Sequence, residues 1–354
     1  VSNDPTVKDG NGNSMYAPYV INGQSKYIYV SLNSVSDSRT ATGKYAMPKQ
    51  TYSIYQLTGG KNSAKHTIKE KTAALSLYAD RQKCMFDVIF NVEPIESFQS
   101  KEKYSQMQRK IAEIASDRGI DLASIQVTSK AARTGHRSLS EGKLFTFSNG
   151  SYVACMAGYD RYYDSYTSNW VYLPKSIALA CAYARRWVLG KPWEAPAGID
   201  NGTIDYSNGQ LLKLSDPEIG QLYAAHINCS RSCAGLGEVI WCQKTALKKE
   251  SALNRINVRG CINYIEKYLE QMLIPFLYKN NTSTVRSNMR NTVDSFLSTI
   301  MANGGLLAKS VQVIPDPKDT HLVHLNIAVV PAESIEFIQV NITVNRNNNT
   351  ITFE

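Results

Sequence analysis

The chain has 354 residues, 43% hydrophobic and 19% charged, a length that predicts two or three domains and a composition that excludes disorder, collagen and coiled coil. Its longest apolar run, around residues 177–184, falls well short of the roughly 18 to 20 residues a membrane span needs, so no membrane insertion is expected. The net charge of +9 sits mostly in residues 1–200, with 25 Lys and Arg against 17 Asp and Glu, while residues 201–354 carry 14 against 13. No basic cluster reaches the density of a nucleic-acid groove.

The first residues, Val1-Ser2-Asn3-Asp4, show neither an initiator methionine nor a leader, which reads as a fragment or a processed chain. Residues 1–82 are polar and rich in Gly, Ser, Asn, Thr and Tyr, and the short alternating runs 27–30 and 51–55 predict a β-rich region with long connections. The register changes at Cys84. Residues 85–90 read as a buried strand, 101–118 as a helix with Tyr104, Met107, Ile111 and Ile114 on one stripe stopped by Gly119, and 124–128 as another strand; strand, helix, strand is an α/β unit. A buried strand at 152–157 and an apolar helix at 174–189 follow. Asp216-Pro217 launches a further helix that carries Ile219, Leu222, Tyr223 and Ile227 inward, before a core strand at 239–242.

The last hundred residues are the most regular. Residues 256–273 place Val258, Cys261, Ile262, Ile265, Leu269 and Met272 on one face and stop before Pro275, and 283–302 repeat the pattern before Gly304. The two helices are expected to pack back to back. Strands are predicted at 310–314, 321–330 and 334–344, with a turn at Arg346-Asn347-Asn348-Asn349 into a closing strand. The expected organisation is α/β and α+β multidomain: 1–82 a β-rich outer or insertion region, 83–234 an α/β domain, and 235–354 a C-terminal two-helix plus β-sheet module.

Catalytic signatures are missing from the sequence: no phosphate-binding glycine loop, no metalloprotease helix and no nucleophile elbow. No catalytic residue and no cofactor is expected. His226, Cys229 and Cys233 would share a face on a continuous helix and form a zinc candidate, but their apolar neighbours favour packed thiols by about nine to one. All seven cysteines (84, 155, 181, 229, 233, 242, 261) are read as free, reduced and buried. His321 and His324, three apart on a strand, point to opposite faces and cannot grip one ion. The aromatic run Tyr159, Tyr162, Tyr163, Tyr166, Trp170 and Tyr172 suits a loop packing its own rings or meeting a protein better than base stacking. Gly235-x-Gly237 reads as a tight turn. Asn-x-Ser/Thr triplets at Asn149, Asn201, Asn228, Asn281 and Asn341 are discounted as glycosylation sites, two of them falling in core elements.

Several segments in order resemble the sheath proteins of contractile bacteriophage tails. These are Val171-Tyr172-Leu173-Pro174-Lys175-Ser176 followed by Ala180-Cys181-Ala182-Tyr183-Ala184-Arg185, and Gly190-Lys191-Pro192-Trp193-Glu194-Ala195-Pro196-Ala197-Gly198. Next come Ile227-Asn228 with Gly235-x-Gly237-x-Val239-Ile240-Trp241-Cys242-Gln243-Lys244-Thr245, then Ile256-Asn257-Val258-Arg259, and last Pro331-Ala332-Glu333-Ser334-Ile335-Glu336-Phe337-Ile338. The match covers about 170–354 well and 84–128 in pattern. Cys242 stands where that family usually has Gly, Lys244 where it has Arg, and Gly260 where a second Arg is common, which marks a divergent member.

The resemblance implies a structural virion protein of the tail, assembled in the host cytoplasm: subunits in six-fold rings stack helically around an inner tail tube, and contraction drives the tube through the host envelope. It implies partners in other copies of itself, the tube protein, the baseplate and the tail terminator, and no nucleic acid. Terminal arms of such subunits add strands to neighbours' sheets. On that basis His321, Leu325, Ile327, Val329, Phe337, Val340, Ile342 and Val344 are expected at subunit interfaces, and Lys279, Arg286 and Arg290 toward the inner tube. The competing readings are an α/β enzyme of unknown reaction, which would show a deep pocket of perturbed titratable groups, and a basic nucleic-acid module.

Overall fold

The computed structural model describes residues 2, 4–30 and 66–338. The chain divides into two compact units, 1–64 and 65–354.

In the first unit the described residues form a turn and one helix rather than strands. Asp9 accepts the N–H groups of Asn11 and Asn13 at 2.9 and 2.8 Å, and α1 (Ala17–Gln24) starts on a proline. The expected strand at 27–30 does not form. Asn22 takes both backbone groups of Val30 with its amide, at 2.6 and 2.7 Å, so the groups a ladder would use are already bonded to a side chain. The run 51–55 lies outside the described residues.

The second unit is built on a four-stranded parallel sheet of order β1 (Val88–Phe90), β2 (Leu122–Gln126), β3 (Val153–Met156) and β6 (Ile227–Asn228). Strands β2 and β3 are buried along their whole length, as parallel strands covered on both faces must be. Their period of two divides the core. Ala123, Ile125, Val153 and Cys155 join Ile111 and Ile114 of α3 (Lys101–Arg118), whereas Leu122, Ala154 and Met156 meet Leu179 and Tyr183 of α5 (Ser176–Val188). Ser100 caps α3 by accepting the N–H of Lys103, and Gly119, at φ 71°, ends it. Before the sheet, α2 (Ile68–Ser76) opens on a capping box between Thr67 and Glu70. Helix α4 (Gly135–Gly142) lies between β2 and β3 in the chain.

Between β3 and β6 the chain makes a hairpin, β4 (Tyr159–Asp164) with β5 (Asn169–Pro174), then α5, the short α6 (Gly198–Asn201) and α7 (Asp216–Ala224). The aromatic run is thus a two-stranded hairpin rather than a loop. Ring packing across it is Tyr163 on Trp170, edge-on at 5.1 Å, with the Arg161 guanidinium 3.9 Å from the Trp170 ring centre. A second hairpin, β7 (Ser230–Cys233) with β8 (Gly237–Ile240), turns through Gly235 and Gly237, at φ 76° and 80°. Helices α8 (Ile256–Leu273) and α9 (Ser283–Ala302) and the pair β9 (Leu306–Pro315) and β10 (Val323–Pro331) complete the order.

The helix launched at Asp216 is shorter than expected. It ends at Ala224, His226 takes φ 62°, and Ile227 enters the core from β6. His226, Cys229 and Cys233 therefore lie on no common helix face. Of the cysteines, Cys155, Cys229, Cys242 and Cys261 are buried, but Cys84 and Cys233 are half-buried and Cys181 is exposed on α5; all seven are unbridged.

Candidate functional site

The C-terminal module is assembled around α8 and α9. Val293, Leu297 and Ile300 of α9 pack with Cys261, Ile265 and Leu269 of α8, with Trp193, and with Leu306 and Val311 of β9. Thr282 starts α9 by accepting the N–H of Val285. Strands β9 and β10 run antiparallel from Pro315↔Val323 to Leu306↔Pro331. Leu325, Ile327 and Val329 are half-buried against the helices, and the alternate residues His324, Asn326, Ala328 and Val330 face out. The turn between the strands is held by Asp316, which accepts the N–H groups of Lys318 and Asp319 at 2.7 and 2.9 Å and meets His324 Nε2 at 2.7 Å. The His324 contact, with those two N–H groups, holds the Asp316 carboxyl below the ordinary carboxylate range. Among the described residues no third strand pairs with β9 or β10. Each strand thus leaves one row of backbone groups unladdered.

Residues 332–338 leave β10 as an extended segment held by side chains instead of a ladder. The Ala332 N–H donates to the Gly305 carbonyl at 3.1 Å, and Asn257 Nδ2 donates to the Ala332 carbonyl at 3.3 Å. Gln243 bonds Ser334, and also Glu336 at 3.2 Å. Glu336 pairs with Arg255 at 2.7 Å and accepts the Tyr223 hydroxyl. Phe337 sits edge-on to the Tyr223 ring at 5.7 Å, and Lys244 lies 4.0 Å from the centre of that ring. Burial, followed by the Glu336 carboxylate, pushes the Tyr223 phenol above its ordinary value. A groove of about 560 Å³ runs between this segment, α7 and residues 241–243, and Ile335, Phe337 and Ile338 are exposed along it.

Of the expected interface residues, Leu325, Ile327 and Val329 lie on β10, His321 lies in the turn before it, and Phe337 lies in the extended segment. The strand expected at 334–344 is absent from 334–338; its polar positions Ser334 and Glu336 are taken by Tyr223 of α7, by Gln243 and by Arg255, the residue before α8. Val340, Ile342 and Val344 lie outside the described residues. Lys279 stacks 5.1 Å from the Phe276 ring, Arg286 bonds the Asn281 carbonyl at 3.1 Å at the start of α9, and Arg290 is exposed one turn on.

The His226–Cys229–Cys233 zinc candidate dissolves into separate contacts. His226 Nδ1 meets the Thr245 carbonyl at 3.0 Å, and Cys229 meets Cys242 with 3.7 Å between sulfurs. Among the described residues no group of His, Cys, Asp and Glu is arranged to hold a metal.

One cluster was invisible in the sequence. Lys175, 1% exposed, reaches two carboxylates: Asp160 at 2.8 Å and Glu238. Tyr206 donates to Asp160 at 3.3 Å and Ser230 to Glu238 at 2.5 Å, and the Ser207 hydroxyl lies 3.1 Å from Asp160 and 3.0 Å from Glu238, with one proton to give to either. The cluster ties both hairpins to the start of α5. Burial pushes the Lys175 ammonium down and Asp160 opposes it. Nothing local marks these residues, which are far apart in sequence; only the oddity of a lysine between Pro174 and an apolar helix gave a signal. The hydroxyls and the lysine satisfy both carboxylates, so the cluster is a fastening and not an acid–base pair facing a substrate.

No protein-family model matches the chain. It is similar to the tail sheath protein of Vibrio phage KVP40, 32% identical over 200 residues, which are 54% of this chain and 29% of that protein. It is also similar to the tail sheath protein of Enterobacteria phage T4, 28% identical over 203 residues, 55% of this chain and 30% of that protein. The chain therefore spans less than a third of the length of the curated relatives it matches. Among solved structures, the anti-feeding prophage helical sheath in its contracted state shares the fold, with a TM-score of 0.60 at 15% identity over 78% of this chain and 76% of that one. The chain is a divergent homologue of tail sheath proteins, as its ordered segments suggested, with a mixed helix-and-sheet fold found in contractile sheaths.

Proposed function

We propose that this chain is part of a structural subunit of a contractile tail sheath, which polymerises helically around an inner tube and contracts to drive it through the host envelope. The observation that carries the reading is the C-terminal sheet, two strands wide with an unladdered row on each side, beside an extended segment that leaves the same sheet and is aimed by a polar clasp. A donor segment and an acceptor edge on one molecule make a heterologous contact. Such a contact, where its rotation does not close a ring, repeats into an open helical polymer.

In this reading β9, β10 and residues 332–344 are the self-association elements, 83–234 and 235–354 form the working subunit, and 1–82 is outer material. Lys279, Arg286 and Arg290 face acidic groups of the tube. Copies assemble in the host cytoplasm as six-fold rings between baseplate and terminator, and the finished location is the virion tail. The reading asks for no catalytic chemistry, only for packing that changes between two arrangements.

Negative-stain imaging of the full-length protein tests it: tubes or contracted sheaths are expected, and a compact monomer under every assembly condition would sink it.

A further inference from the structure

We propose that Cys229 and Cys242 form a reactive dithiol that closes to an intramolecular disulfide when the chain meets a low-molecular-weight disulfide oxidant. Their sulfurs are 3.7 Å apart in the core, and a disulfide needs about 2.05 Å, so the gap to close is under about 2 Å. The backbones are already held side by side, because the Trp241 N–H donates to the Cys229 carbonyl at 3.0 Å. Among the described residues no other pair of thiols is in contact. The second requirement is access, and Cys242 stands in the wall of the 560 Å³ groove beside α7.

The chemistry has a direction. Cys242 lines the groove and Cys229 does not, so Cys242 is the thiol an oxidant meets first and the attacking thiolate; its hydrogen bond with Cys229 holds it below its ordinary range against burial and Glu336. It displaces one thiolate from the oxidant and forms a mixed disulfide; Cys229 then gives up its proton, attacks Cys242 Sγ and displaces the second thiolate. Two protein thiols lose two protons and two electrons, and the oxidant disulfide becomes two thiols. The bond closes the open end of the β7–β8 hairpin, one residue before Gln243, which reaches the extended segment.

The test uses the whole chain in a Cys181→Ser background, which removes the exposed thiol on α5. After oxidised glutathione, denaturing alkylation and digestion, the expected product is a 229–242 bridged peptide without glutathione, with Cys155 and Cys261 alkylated. Cys229→Ser is expected to stop with one glutathione on Cys242, and Cys242→Ser to leave Cys229 unmodified. A bridge to Cys233 or Cys261 instead, or no bridge while half-buried Cys84 takes up glutathione, overturns the proposal. If the serine variants unfold, the peptide map of the Cys181→Ser chain decides alone. The bridged chain should melt about 3 to 8 °C higher, from the loop it closes; an equal or lower melting temperature would show that the native geometry does not accept the bond.

Discussion

The parallel sheet and the C-terminal sheet solve the edge problem in opposite ways. In β2 and β3 every residue is buried, each strand has a partner on both sides, and helices α3 and α5 cover the two faces. In β9 and β10 one face is packed on α9, the other is open, and each strand is paired on one side only. The first arrangement confines its edges to β1 and β6, three and two residues long, which are short templates for another chain. The second is incomplete by design of its sequence, since the alternating pattern buries Leu325, Ile327 and Val329 and turns polar or small neighbours outward. Stability and assembly should accordingly be separable: substitutions in the parallel region should unfold the chain, and substitutions on the outward face of β10 should leave it folded and unable to polymerise.

The largest effect is expected beside the parallel sheet. Lys175→Ala would leave Asp160 and Glu238 buried without their cation, a change that costs about 3–5 kcal/mol; urea denaturation should show it, and a loss under about 1 kcal/mol would mean that water or rearranged hydroxyls replace the lysine. Ile125→Ala, in the fully buried β2, should cost about 2–5 kcal/mol, while Leu325→Ala on half-buried β10 should cost about 1–2 kcal/mol. Equal losses would break the contrast between the two sheets. On the outward face, Asn326→Lys with Ala328→Lys should change stability by no more than about 0.5 kcal/mol. Lysines on an edge oppose strand addition, and the same variant in the full-length protein should weaken the association constant of each contact by about tenfold or more, equivalent to about 1.4 kcal/mol, read as a higher concentration needed for polymerisation. Normal tubes from that variant would move the self-association surface elsewhere.

Much of this contrast was legible in the sequence. The two C-terminal helices read correctly because their apolar stripes are long and end at Pro275 and Gly304, and β2 and β3 read as buried runs; the buried strand expected at 85–90 is only Val88–Phe90, with Ile89 buried and Met85 and Phe90 exposed, because β1 lies at the edge of the sheet. Two of the failures share a cause: a polar side chain captured backbone or polar groups that local pattern assigned elsewhere. Tyr27 to Val30 alternate like a strand, but Asn22 holds Val30. Ile335 and Phe337 alternate with Ser334 and Glu336, but Gln243 and Arg255, about ninety residues away in the chain, fix the polar pair. Those captures, like the Lys175 cluster, depend on residues brought together only by the tertiary fold. The two paired C-terminal strands were therefore legible as a place, while the clasp that orients the segment leaving them was not.

The smallest effect concerns the corner where α7 gives way to β6. Burial, helped by Lys244, Arg255 and Lys248, holds His226 below an ordinary value of 6.5, and its bond to the Thr245 carbonyl only partly opposes this. A depressed folded-state value means that, as pH falls below about 6.5, the unfolded chain binds a proton that the folded chain refuses, so stability is lost on acidification. Above about pH 7 both states are neutral and the group adds no slope. His226→Asn removes the titration while keeping a residue that tolerates φ 62°. Denaturation midpoints measured from pH 7 to 5.5, above the range where carboxylates such as Glu218 titrate, should fall with acid in the unsubstituted chain and fall less steeply in the variant. Because this corner feeds β6 into the parallel sheet, the acid effect should appear in global unfolding; if it appeared only as altered polymerisation, the corner would belong with the open sheet.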